Sequence, residues 1–142
     1  MSIEQNKAIV RRFFDEICNA GKLQVADELF FAGHTYTDSS IPGIPKGPEG
    51  QRQLVSTYQA AFPDAHWHVE EMIAEGDKVV TRWTGSGTHK AALQGNPPIP
   101  PTGKRATVPG VWIHRIAGGK IVESWNVWDT LGMLQQLGVV PK

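Results

Sequence analysis

The chain has 142 residues, a length that suits one domain with a real buried core. Fourteen Lys and Arg balance fourteen Asp and Glu, so the formal net charge is zero, and this excludes the basic footprint of a nucleic-acid binder or of a protein held on an anionic membrane. The single cysteine, Cys18, excludes an intramolecular disulfide, no apolar run approaches the roughly 18 residues of a membrane span, and residues 1–7 lack the apolar core of a secretory signal, so a cytoplasmic location is the expectation.

Residues 3–20 read as a helix, because Ile9, Val10, Phe13, Phe14 and Ile17 fall on one broad apolar stripe that Gly21 ends. A second short helix is expected over 23–30 and a brief strand over 34–38, followed by a Pro- and Gly-rich loop through 42–48. A third helix over 49–61 carries Leu54, Tyr58 and Phe62 on its apolar side and stops at Pro63. From His66 onward the period changes from about 3.6 to 2, which predicts four long strands over 66–75, 78–89, 106–117 and 120–128. Glu75-Gly76-Asp77 and Gly118-Gly119 make two hairpin turns. The segment 91–103, with four prolines and two glycines, reads as a lid-like loop. Asp129 then stands where the last strand gives way to a short amphipathic helix ending at Gly138. It suits an N-cap, and it also suits a proton-transfer carboxyl set among the aromatics Trp125 and Trp128.

Helices first and a run of antiparallel strands afterwards is the α+β layout, a curved sheet with the N-terminal helices on one face, and the whole of 1–142 forms a single domain. Both parities of the strands carry large apolar groups, so the outer face of the sheet is expected to be covered as well, by a second copy of the chain in a homodimer. His66-Trp67-His68 has metal-like spacing, but no third ligand accompanies it, and no metal site is expected. His89 reads as an exposed hairpin residue or as a guard of the cavity mouth. There is no Gly-rich nucleotide loop, nucleophile elbow or CxxC pair. Five tryptophans are generous for this length. Tyr36, Tyr58, Phe62, Trp83, Trp112, Trp125 and Trp128 are core residues by default and also the kind of rigid surface that grips a flat apolar or aromatic ligand.

Several phrases follow one another along the chain: Ala61-Phe62-Pro63-Asp64, Ala74-Glu75-Gly76-Asp77-Lys78-Val79-Val80, Gly87-Thr88-His89, Pro101-Thr102-Gly103-Lys104, Gly119-Lys120-Ile121-Val122-Glu123, Trp128-Asp129 and Leu134-Gln135-Gln136-Leu137-Gly138. In this order they resemble the SnoaL-like family of polyketide cyclases and ester cyclases across nearly the whole chain. The resemblance implies a cone-shaped, cystatin-like α+β fold shared with ketosteroid isomerase, scytalone dehydratase and nuclear transport factor 2. It also implies an intramolecular aldol closure without cofactor or metal, run by an acid/base Asp and a neighbouring imidazole.

On that resemblance Asp129 best matches the acidic position and His114 is the candidate imidazole, although a strand His between Trp112 and Ile116 also reads as a packed core residue. Asn126 departs from the acidic residue that some relatives carry near this point. An amide cannot act as a base, but it can orient or polarise a carbonyl. Asp38 falls where ketosteroid isomerase places its catalytic Asp, with Ser39 in place of the His of many relatives, and a turn-forming role for it stays open. The expectation is a cofactor-independent acid/base enzyme acting on a small apolar carbonyl or polyketide-like compound. Asp129, His114 and Asp38 would carry the chemistry, while Tyr36, Tyr58, Trp83, Trp112, Trp125, Asn126 and Trp128 line the pocket. The alternative is a non-catalytic small-molecule binder of the same fold.

Overall fold

The computed structural model describes residues 2–95 and 97–142; Met1, at the head of the segment read for a signal, and Asn96, within the 91–103 loop, lie outside the described residues. Helix α1 (Ile3–Arg12) begins at a capping box, in which Ser2 Oγ accepts from Gln5 N at 3.0 Å and Gln5 Oε1 accepts from Ser2 N at 2.9 Å. It widens into a π-helical turn over Phe13–Asn19, the span that places Phe13, Phe14, Ile17 and Cys18 fully inside. Gln59 Nε2 donates to the Cys18 carbonyl at 2.8 Å, and Asn19 trades both side-chain hydrogen bonds with the Trp67 backbone at 2.8 and 2.9 Å. These bonds tie the end of the helix to the sheet.

A 3-10 turn over Leu23–Val25 runs into α2 (Ala26–Leu29), and then β1 (Phe30–Thr37) begins four residues earlier than the local pattern indicates. Phe30 continues the apolar stripe of α2, so periodicity alone assigns it to a helix. Its pairing with Ile121, far along the chain, makes it a strand residue. Helix α3 (Pro48–Ala61) opens on a proline whose missing N–H costs nothing in the first turn. Strands β2 (His66–Glu75), β3 (Lys78–Thr88), β4 (Arg105–Ala117) and β5 (Lys120–Trp128) follow, and α4 (Thr130–Leu137) closes the chain, ending at Gly138 with φ +78°.

The five strands form one sheet in the order β1-β5-β4-β3-β2, antiparallel throughout except for the parallel β1–β5 pair. Bulges between Val69 and Glu71 and between Arg115 and Ile116 add local bend and twist. The inner face is read from alternation. Ala106, Val108, Gly110, Trp112, His114 and Ile116 of β4 are buried, whereas Arg105, Thr107, Pro109 and Val111 between them are exposed. Phe13 meets this face edge-on, with its ring centroid 4.9 Å from Trp112, 5.3 Å from His114 and 5.5 Å from Phe30. The outer face carries Ile73, Val111 and Val127, which are 57, 39 and 75% exposed. No described helix is long and apolar enough to cross a membrane.

Phe13 packs the π-helical turn against three rings of the sheet, Trp112, His114 and Phe30. Phe13→Ala is expected to lower the free energy of unfolding by about 3–5 kcal/mol in a urea titration. Phe31→Ala, at a half-exposed ring, should cost far less.

Candidate functional site

A cavity opens between α3 and the inner face of the sheet. Its floor is the stretch of β3 and β4 where inward positions shrink: Gly85, Gly87, Ala106 and Val108. Leu54, Val55, Tyr58 and Phe62 roof it from α3 and the residue beyond, and Met133 closes one side from α4. Trp83, Trp112 and Trp128 wall the deep part, with Tyr36, Asp38 and Asn126 as the polar groups among them, while His66 sits at the exposed rim.

The glycines of the floor make room for rings. A Cβ on Gly87 would lie 2.8 Å from the Phe62 Cβ, and one on Gly85 would lie 2.9 Å from the Trp83 ring. At Gly110, directly opposite Trp83 in the β3–β4 register, a Cβ would overlap the indole itself. The inward sequence Trp83, Gly85, Gly87 carries this information in its period of two. Met133, Leu54 and Val55 line the cavity without any chemical signature of their own.

Asp38 stands one residue beyond β1 and is half-buried at the cavity wall. Its Oδ1 accepts from Ser40 N at 2.9 Å and from Ser40 Oγ at 2.6 Å, which makes the turn that the sequence left open. Its Oδ2 accepts from Tyr36 Oη at 2.6 Å and from Trp128 Nε1 at 3.3 Å. Behind Tyr36, Asn126 Nδ2 donates to the phenol oxygen at 3.1 Å, and Trp83 Nε1 donates to Asn126 Oδ1 at 3.3 Å. Burial, reinforced by the bond to Asp38, pushes the Tyr36 hydroxyl well above its ordinary range. Burial and the nearby Asp38 raise Tyr58 to about 12. Both phenols therefore hold their protons at neutral pH.

The structure does not bring Asp129 and His114 together. Asp129 is exposed, absent from the cavity lining, and caps α4 by accepting from Gly132 N at 2.8 Å. Its backbone N–H donates to the Pro109 carbonyl, and His114 lies five residues further along β4, about 16 Å at the usual rise of a strand. His114 is fully buried in the aromatic core, stacked on Trp112 at 5.5 Å, and neither ring nitrogen has a hydrogen-bond partner. Trp125 alternates with Asn126 and so lies on the outer face, paired with Ile113 and outside the cavity. Tyr36, Asp38, Tyr58, Trp83, Trp112, Asn126 and Trp128 do converge. His89 is buried rather than exposed: its Nδ1 accepts from Thr102 N at 3.2 Å and lies 3.0 Å from Thr102 Oγ1, clamping the ends of the 91–103 loop, and its ring stacks on Phe62. Among the described residues no group of three His, Cys, Asp or Glu is arranged to hold a metal ion.

The deep histidines have a consequence for acid stability. Burial lowers His34, whose Nε2 lies 2.8 Å from Ser124 Oγ, from the ordinary 6.5 to about 4, and burial lowers His114 to about 3. The unfolded chain binds these protons first, so the stabilisation is complete above about pH 6.5 and is lost as pH falls toward 4. Urea titrations should show the free energy of unfolding falling steeply between pH 7 and 4.5, on the order of several kcal/mol for the two together, with a matching drop in midpoint. His114→Phe should flatten that slope; a pH-independent midpoint in the wild type would contradict the account.

Comparison with known proteins agrees with this architecture. Residues 8–137 match the model of the SnoaL-like polyketide cyclase family. Nogalonic acid methyl ester cyclase of Streptomyces nogalater is 31% identical over 121 residues, 84% of this chain and 88% of that protein. TsrD from Streptomyces laurentii superposes with a TM-score of 0.87 at 25% identity, covering 99% of each chain. IdmH from Streptomyces antibioticus, a candidate polyketide cyclase, superposes with a TM-score of 0.76 at 31% identity, covering 94% of this chain and 99% of its own.

Proposed function

Since the chain belongs to the SnoaL-like polyketide cyclase family, we propose that it closes rings by acid/base chemistry on a flat, polyketide-like carbonyl compound held in the aromatic cavity, with Asp38 as the proton-transfer group. The observation that carries this reading is that Asp38 is the one carboxylate among the residues lining the cavity. In the step envisaged, Asp38 takes a proton from a carbon α to a carbonyl. The C–H electron pair becomes the enolate double bond, and the carbonyl π pair moves onto oxygen. The enolate carbon then attacks a second carbonyl of the same molecule, forming the ring bond, and the new alkoxide recovers a proton. No electrons are gained or lost overall, so the step needs no redox partner.

One feature of the site favours the second reading, a ligand-binding protein without turnover. The four donors around Asp38 occupy all of its lone-pair directions. For Asp38 to accept a proton, one donor must yield, and the Trp128 indole makes the longest bond of the four, at 3.3 Å.

The two readings separate in deuterium exchange at the α-carbons of 2-tetralone, followed by NMR in D2O. The wild type should accelerate exchange above buffer, and Asp38→Asn should lose at least about a hundredfold, within the usual weight of a positioned acid/base group. Asp129→Asn, which keeps a capping side chain, should exchange like the wild type. Binding of 2-tetralone without any acceleration would establish the carrier reading instead.

The proposed assembly is a homodimer joined through the outer sheet face, supported by the exposed Ile73, Val111 and Val127 and by the absence of net charge to drive copies apart. Light scattering behind size exclusion should give a dimer mass for the wild type and a monomer for Val127→Lys. A wild-type monomer at tens of micromolar would refute the assembly.

A further inference from the structure

We infer that Trp83 is a positioning residue, which fixes the direction of a hydrogen-bond relay running Trp83 to Asn126 to Tyr36 to Asp38. The inference rests on the proposed role of Asp38 and extends it to residues that need not touch a substrate's reacting atoms. Its logic lies in what each group is able to donate. An indole N–H can only donate, so the oxygen of the Asn126 amide must face Trp83, at 3.3 Å. The amide nitrogen is thereby turned toward Tyr36, and its N–H occupies the phenol oxygen at 3.1 Å. Tyr36 must then spend its own proton on Asp38, at 2.6 Å. The orientation of an Asn side chain is ordinarily ambiguous, because its oxygen and nitrogen have nearly the same shape. Here a group with no acceptor capacity stands at one end of the chain and a carboxylate at the other, and both constraints select the same orientation.

The sheet supplies the support for this arrangement. The Trp83 indole lies against Gly110, its direct partner in the β3–β4 register, where any side chain would overlap the ring. Trp83 is 3% exposed and Asn126 6%, so water does not compete freely for these bonds. Among the described residues, Tyr36 is the one acceptor that Asn126 Nδ2 reaches, which leaves its second N–H available to a ligand oxygen. A site built this way presents a neutral donor beside the carboxylate and keeps the Tyr36 proton directed at Asp38.

The test is a double-mutant cycle in the tetralone exchange assay, joined to NMR of protein labelled at tyrosine Cζ. Tyr36 and Tyr58 are the only tyrosines in the chain, so the spectrum holds two resonances. Trp83→Phe should slow exchange about tenfold, mainly in kcat, in the wild-type background, and less than about twofold in a Tyr36→Phe background. It should also move the Tyr36 Cζ resonance while leaving that of Tyr58 in place. Equal losses in both backgrounds, or an unmoved Tyr36 resonance, would overturn the relay and reduce Trp83 to a packing role. If the wild type does not accelerate exchange at all, the proton-transfer reading fails, and the relay stands or falls on the Tyr36 resonance.

Discussion

An indole lying on a residue with no side chain is the contact on which the site depends. Trp83 and Gly110 face each other across β3 and β4, and the space that Gly110 leaves is filled by the ring. Had both positions carried large groups, the inner face would close over and the strands would be forced apart. Because one is glycine, the tryptophan lies down, its N–H reaches β5, and the wall of the cavity acquires a fixed polar edge. Gly85 and Gly87 extend the same economy of volume toward the mouth, where Phe62 and the Trp83 ring take up the room.

The polar groups of the cavity are few, and their placement follows from strand parity. Tyr36 and Asp38 are two residues apart at the end of β1, and Asn126 and Trp128 are two apart at the end of β5. Both pairs therefore look inward from neighbouring parallel strands. Trp125 and Asp129 are displaced by one position from this inner set. Trp125 turns to the outer face, and Asp129 passes beyond the strand to satisfy the free amides of α4. A single-residue difference in parity separates a cavity residue from a cap.

The strands were legible because their alternation is long and the turns between them are punctuated by glycine. The boundaries of β2 and β5 follow the reading to the residue, and those of β3 and β4 differ from it by one. The start of β1 was not legible, since Phe30 continues a helical stripe and becomes a strand residue only through Ile121. The same limit applied to the site. Tyr36, Asp38 and Asn126 could each be named from local pattern, but whether Asp38 or Asp129 enters the cavity depends on how β1 docks on β5, and no local period encodes that. His114 shows the converse. Its packing between Trp112 and Ile116 was readable and holds, but the lack of any hydrogen-bond partner was not, because Phe13 and Phe14, arriving from a helix far back in the chain, put aromatic rings against it.

The parallel pairing of β1 with β5 also sets an order of assembly. The bonds Asn126–Tyr36 and Trp128–Asp38, and the buried His34–Ser124 contact, each join residues 90 positions apart. The antiparallel ladder of β2 through β5 needs only short hairpins and the 91–103 loop, whereas closing β1 onto β5 carries the entropy of a loop that spans most of the chain. The scaffold can therefore form before the cavity has its carboxylate. During synthesis on the ribosome, Tyr36 and Asp38 wait for β5 to emerge, and the polar edge of the site becomes complete only when Asn126 and Trp128 arrive beside them.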